Sequence, residues 1–112
     1  MTGRRNAPLF VYITASSRAE ALKIGRALVA ERLAACANVL PRARSVYWWQ
    51  GKIEEADEAV LVAKTRAALA GRLIERVKSL HNYSCPAIVV LPIVAGNPDY
   101  LAWIATETEE PQ

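Results

Sequence analysis

Two strand-forming runs hinged at Gln50-Gly51 constrain this chain more than any other feature. The pattern from Cys36 to Lys64 is that of strand. Val46-Tyr47-Trp48-Trp49 is strongly β-prone, and Ala59-Val60-Leu61-Val62-Ala63 reads as a buried strand. With Gln50-Gly51 as a two-residue loop, Trp49 faces Lys52, Trp48 faces Ile53 and Arg44 faces Asp57, with Arg42 diagonal to the same carboxylate. Such a hairpin is long for a chain of 112 residues, and its distal half should extend past the first sheet.

The remaining elements follow from periodicity and punctuation. Leu9-Phe10-Val11-Tyr12-Ile13 is continuously apolar and β-prone, the pattern of a central strand covered on both faces. Ser17 stands three residues before Glu20, a capping box that opens a helix from Arg18 to about Ala35, with Gly25 placed for a close approach to the sheet. Thr65 is positioned to cap a second helix carrying Leu69, Leu73, Val77 and Leu80, which ends at His81-Asn82-Tyr83-Ser84 ahead of Pro86. Ile88-Val89-Val90-Leu91 is the fourth strand, and Asn97-Pro98 starts a short last helix. The sum is an α+β fold: a ferredoxin-like βαββαβ sandwich with a long hairpin between its second and third strands and a short C-terminal helix. Residues 1–7 read as a flexible N-terminal tail, 8–106 as the single domain, and 107–112 as an acidic C-terminal tail.

Right-handed crossovers put both main helices on one face of such a sheet. The other face is too apolar to be left in water, so a second copy of the chain is expected to cover it.

Composition removes several function classes. No apolar run approaches the ~20 residues of a membrane span, and no h-region follows Arg4 and Arg5, so the protein is expected in the cytoplasm. The net charge of +3 comes from Lys and Arg scattered among carboxylates, which is no nucleic-acid stripe, and the RNP1 pattern is absent. No Walker loop, nucleophile elbow, Rossmann fingerprint, HExxH or CxxC occurs. Two cysteines are too few for a disulfide scaffold. With Cys36 and Cys85 on opposite edge strands, three spacings of ~4.8 Å hold them roughly 14 Å apart.

At the level of motifs the chain resembles the CutA family of divalent-cation-tolerance proteins. The resemblance is carried by Glu31-Arg32-Leu33-Ala34-Ala35-Cys36-Ala37-Asn38, by Tyr47 with Trp49-Gln50-Gly51-Lys52-Ile53-Glu54-Glu55, and by Lys64-Thr65. His81-Asn82-Tyr83, Leu91-Pro92-Ile93 and Gly96-Asn97-Pro98-Asp99-Tyr100-Leu101-Ala102-Trp103 complete it. It implies a homotrimer in which the hairpin reaches a neighbour, an architecture similar to the PII signalling proteins with ligand clefts between subunits, and a link to copper and other divalent cations. Gln50 stands where the family usually has Glu. Of three cysteines proposed as copper ligands in one bacterial member only Cys36 has a counterpart here; Ile13 and Val77 occupy the other two positions, and Leu80 that of the histidine.

The candidate ligand-binding residues of an intersubunit cleft are Trp49, Lys64, His81 and Tyr83, and the candidate metal ligands are Cys36 and His81. No catalytic residue is assigned, and no cofactor beyond a divalent cation such as copper. Each candidate also has a structural reading. His81 can bond a last-turn carbonyl, Trp48 and Trp49 can form interface core, Cys36 can be a small buried side chain, and Lys64 can pair with a carboxylate. The expected partners are two further copies of the chain and a metal ion or small molecule, with no nucleic acid and no membrane. Two alternatives stand beside this binding function. One is a small enzyme whose intersubunit cleft uses His81 and Lys64; the other is a purely structural oligomerisation module.

Overall fold

The computed structural model describes residues 4–109. A 3-10 turn at Arg4–Asn6 leads into β1 (Pro8–Ala15), α1 (Arg18–Ala30), β2 (Cys36–Trp49) and β3 (Lys52–Arg66). A second 3-10 turn, Ala67–Leu69, precedes α2 (Ala70–Leu80), β4 (Ile88–Pro92) and α3 (Pro98–Glu107). The four strands form one antiparallel sheet in the order β2-β3-β1-β4, as the ferredoxin-like topology requires. None of the described helices is long and apolar enough to cross a membrane.

The hairpin takes the register set by its turn: Trp49 pairs with Lys52, Trp48 with Ile53, Arg44 with Asp57. Gln50 (φ 50°) and Gly51 (φ 79°) both adopt the left-handed conformation of a type I′ turn, whose twist matches that of the flanking strands. The register shifts between Leu40 and Ala43, where Pro41 has no N–H to give the ladder, and such a break is tolerated because β2 is an edge strand. β1 reaches only from Arg66 to Ala59 on β3, so the pairs from Ala43↔Glu58 to Trp49↔Lys52 project as a free arm. Seven residues of strand make that arm about 23 Å long.

Alternation along β1 and β3 sends Val11, Ile13, Ala15, Leu61 and Ala63 to one face, where they pack with Ile24 and Leu28 of α1 and Leu73 and Val77 of α2. Gly25 lies against this face; a Cβ there would stand 3.2 Å from both Ala37 Cβ and Leu61 Cδ1. The opposite face carries Tyr12, Leu40, Val89 and Leu91, all exposed. One end of it is covered within the chain, because α3 packs against β3 and β1 with Ile104 fully buried. The arm is apolar on both sides: Tyr47 and Trp49 face one way, Val46, Trp48 and Ile53 the other, and Trp48 is 73% exposed.

Several expected boundaries move. Helix α1 ends at Ala30, not near Ala35. Arg32 takes φ 58° and its N–H bonds Val29 O, while Leu33 N–H reaches back to Leu28 O at 2.9 Å, a Schellman closure sealed by the buried pair Leu28 and Leu33. Thr65 caps no helix. It is a buried strand residue whose hydroxyl donates to Leu33 O at 2.8 Å, and α2 starts five residues later, at Ala70. The fold also reaches beyond 8–106. Ala7 O accepts from Ala67 N–H, and Thr108 is buried under Arg66, whose guanidinium donates to its hydroxyl and its carbonyl. The outermost tail residues, 1–3 and 110–112, lie outside the described residues.

Candidate functional site

The site is built where the carboxyl end of β1 meets the start of α1 and the segment after α2. Ser17 caps α1, its hydroxyl accepting from Glu20 N–H at 3.1 Å. The Glu20 carboxylate does not return to Ser17. One oxygen accepts from Ser16 N–H at 2.7 Å and from the Ser16 hydroxyl at 2.8 Å; the other accepts from Asn82 N–H at 2.6 Å. Burial pushes this carboxyl up. The Ser16 and Asn82 hydrogen bonds outweigh it and hold the group below its ordinary value. Glu20 thus anchors the start of the 81–87 segment, sixty-two residues away in the chain.

His81 belongs to the same anchor. Its side chain is fully buried. The carbonyl of Thr14, 2.7 Å from Nε2, can only accept, and the Tyr83 N–H, 3.0 Å from Nδ1, can only donate. The ring is therefore the Nε2–H tautomer with both nitrogens committed to backbone groups. Tyr83 stacks tilted against it, ring centroids 4.9 Å apart, and its hydroxyl donates to Glu58 on β3 at 2.9 Å. Burial, then the bond and charge of Glu58, push the Tyr83 phenol up to about 12.

These contacts frame a cleft of about 540 Å³ between the segment and one face of the arm. Strand β2 contributes Ser45, Tyr47 and Trp49, alternate residues on one face, while Glu58 and Thr14 come from β3 and β1. Tyr83, Ser84 and Cys85 form the opposite wall. The volume suits a small molecule, and the mixture of aromatic surface with a few polar groups is usual for such sites.

Lys64 and Cys36 lie elsewhere. They face each other at the other end of β2 and β3, beside Phe10 on β1, whereas His81 sits on Thr14. Four residues of strand separate those levels by about 13 Å. Lys64 Nζ donates to Asn38 Oδ1 at 3.0 Å and stands 5.7 Å from the centre of the Tyr100 ring, so its partner is an amide and an aromatic face rather than the expected carboxylate. Cys36 Sγ is 3.4 Å from the Tyr100 hydroxyl and half-buried. The structure therefore brings Trp49 and Tyr83 together, places His81 behind them, and leaves Lys64 and Cys36 apart. An acid–base pair of His81 and Lys64 does not form within a protomer. Neither does a metal site of Cys36 and His81, whose ring nitrogens are both engaged, and no group of three His, Cys, Asp or Glu side chains is poised for a cation among the described residues.

The family profile described as CutA1 divalent ion tolerance protein matches residues 9–107. The chain belongs to this family. The divalent-cation tolerance protein CutA of Thermus thermophilus is 48% identical over 98 residues, covering 88% of this chain and 95% of that one. Protein CutA 1, chloroplastic, from rice is 39% identical over 102 residues; the match takes in 91% of this chain but only 58% of the rice protein's length. Among solved structures, CutA from Xylella fastidiosa superposes with a TM-score of 0.89 at 41% identity, covering 92% of this chain and 99% of that one. The family resemblance and the α+β, ferredoxin-like architecture expected from the motifs both hold.

Sequence reasoning missed Glu20 and Glu58 as site residues. Glu20 was legible only as a helix cap, and Glu58 only as one carboxylate in the acidic run Glu54-Glu55-Ala56-Asp57-Glu58. What distinguishes them is the conformation of residues 81–85, which no local pattern specifies.

Proposed function

We propose that the protein works in the cytoplasm as a homotrimer that binds a small ligand in clefts at the subunit interfaces, and serves divalent-cation tolerance as a ligand-responsive, PII-like signalling protein. The observation that carries this is the arm, apolar on both sides, with the cleft of Tyr47, Trp49 and Tyr83 along one of its faces. An arm of this kind is stable in water only when another surface covers it, so the cleft would gain a wall from a neighbouring subunit. A closed ring of three follows if each arm reaches the next copy head to tail. Cys36 and His81 are too far apart to share an ion within one protomer; a copper ion on Cys36 would draw its remaining ligands from another subunit. The open cleft favours binding over a purely structural module.

Native mass spectrometry of the protein as isolated tests this reading. It should give a trimer that retains a small molecule or releases one on unfolding. A folded, soluble monomer at sub-micromolar concentration would refute the assembly. For the metal, calorimetric titration with Cu²⁺ should give less than one ion per chain, and a tight site on each isolated monomer, lost in Cys36→Ala, would overturn the shared-ligand reading.

A further inference from the structure

We propose that the cleft takes an organic ammonium ion, a compact amine that carries positive charge at neutral pH. This rests on the reading of the cleft as a ligand site and adds the class of ligand.

The lining itself argues for the charge. Tyr47, Trp49 and Tyr83 supply three aromatic side chains, and aromatic faces carry the negative end of the ring quadrupole. No Lys, Arg or His lines the cleft, and its one carboxylate is Glu58. Only one oxygen of that carboxylate is engaged, by the Tyr83 hydroxyl; the other takes no hydrogen bond from the described residues. Glu54, the cross-strand partner of Tyr47, is on the same face of the arm but is not part of the lining. Lys52 opposes Trp49 at the exposed turn, beyond the lining.

The alternatives fit less well. An anion would meet the Glu58 carboxylate and no cationic side chain in the lining. A neutral apolar guest would strip water from the free Glu58 oxygen and return no hydrogen bond. A bare divalent ion asks for several oxygen ligands, and the cleft supplies one carboxylate. An ammonium answers each part of the wall: its charge lies over the rings, its N–H groups or polarised methyls meet Glu58, and the hydroxyls of Ser45 and Ser84 accept what remains.

The test uses three probes of one chain length and different charge: n-butylammonium, 1-butanol and butyrate, titrated at constant ionic strength into the ¹⁵N-labelled full chain. The Trp49 indole N–H is the reporter. Butylammonium should bind at least tenfold more tightly than butanol, with butyrate weakest. Glu58→Gln keeps an acceptor for the Tyr83 hydroxyl while removing the charge, and should bring the ammonium to within about twofold of the alcohol. Trp49→Leu, read at the amides of residues 83–85, should weaken the ammonium and spare the alcohol, and decides the matter alone if the Glu58 variant does not fold. Equal binding of all three probes, butyrate leading, or an ammonium preference that survives both substitutions would overturn the ligand class and leave the cleft as a site. Silence from all three would overturn the class and the cleft reading together.

Discussion

Replacing Glu20 by alanine is the sharpest perturbation this structure offers, because one side chain there satisfies donors from two distant segments. The carboxylate accepts from Ser16 N–H and Ser16 Oγ–H on one oxygen and from Asn82 N–H on the other, in a site where the residue is 7% exposed. Truncation leaves two backbone N–H groups without partners, and a buried donor without a partner costs about 1–3 kcal/mol. The summed expectation is a loss of about 2–6 kcal/mol, as much as the whole stability of a marginal domain at its upper end. Glu20→Gln retains one acceptor but turns its amide N–H₂ towards one of the donors, so it should cost about half as much. The assay is urea unfolding at fixed protein concentration, followed by far-UV circular dichroism, with the linear slope compared between variants. A pH series adds a second readout. The folded pKa of Glu20 lies below its ordinary value of 4.5. Its contribution is therefore complete above that value and fades as pH falls through the folded pKa. The wild type should lose stability in this acid range, and the alanine variant should lack that component of the loss. An alanine variant within about 0.5 kcal/mol of wild type at pH 7 would refute the account of Glu20 as the anchor of the 81–87 segment.

Other substitutions separate packing from conformational effects. Gly71 lies in the first turn of α2 with nothing within 4 Å of the place a Cβ would take, so Gly71→Ala should raise stability by about 0.5–1 kcal/mol, seen as a higher melting temperature. Gly25→Val should do the opposite, because its Cβ alone already meets Ala37 and Leu61 at 3.2 Å; overpacking of this kind costs about 1–3 kcal/mol, and an unchanged melt would show that the helix can lift from the sheet. The Tyr83 phenol, raised from 10 to about 12, binds its proton more tightly in the folded chain, so its contribution is present below pH 10 and is lost as pH rises towards 12. Tyrosinate absorbance should lose a late-titrating component in Tyr83→Phe, while Tyr100, also raised by its Cys36 contact and burial, keeps its own.

The hairpin was legible because a two-residue turn fixes every later pair, and residues from Arg44 to Asp57 have no freedom once Gln50 and Gly51 are in place. The start of α1 was legible for a similarly local reason, the Ser17 hydroxyl three residues from the N–H that it accepts. Its end was not. The stretch from Ala27 to Ala35 holds no glycine or proline, and the chain is stopped by Arg32 in a conformation that favours glycine, with its guanidinium tied to the Glu107 carbonyl and carboxylate. Thr65 misled because a hydroxyl before an apolar helix reads as a cap, whereas this one satisfies the carbonyl of Leu33, thirty-two residues away. At the site, the motifs named Trp49 and Tyr83, which do share a cleft, but could not show that His81 spends both nitrogens on backbone or that Lys64 sits at the far end of the sheet. These facts depend on contacts between segments remote in the chain.

The free arm has a further consequence, for hydrogen exchange. In β3 the residues from Val60 to Lys64 are paired on both edges, to β2 and to β1, whereas those from Lys52 to Glu58 have a ladder on one edge only. Within a single chain, half of the arm's amides point at solvent and the other half are shielded by a two-stranded ribbon, the least durable form of sheet. In the proposed assembly their exchange rates become coupled to protein concentration. Dilution should deprotect the arm from the Gln50-Gly51 tip inwards while Leu61 and Ile13 stay slow, so the molecule carries in its own backbone a graded gauge of its association.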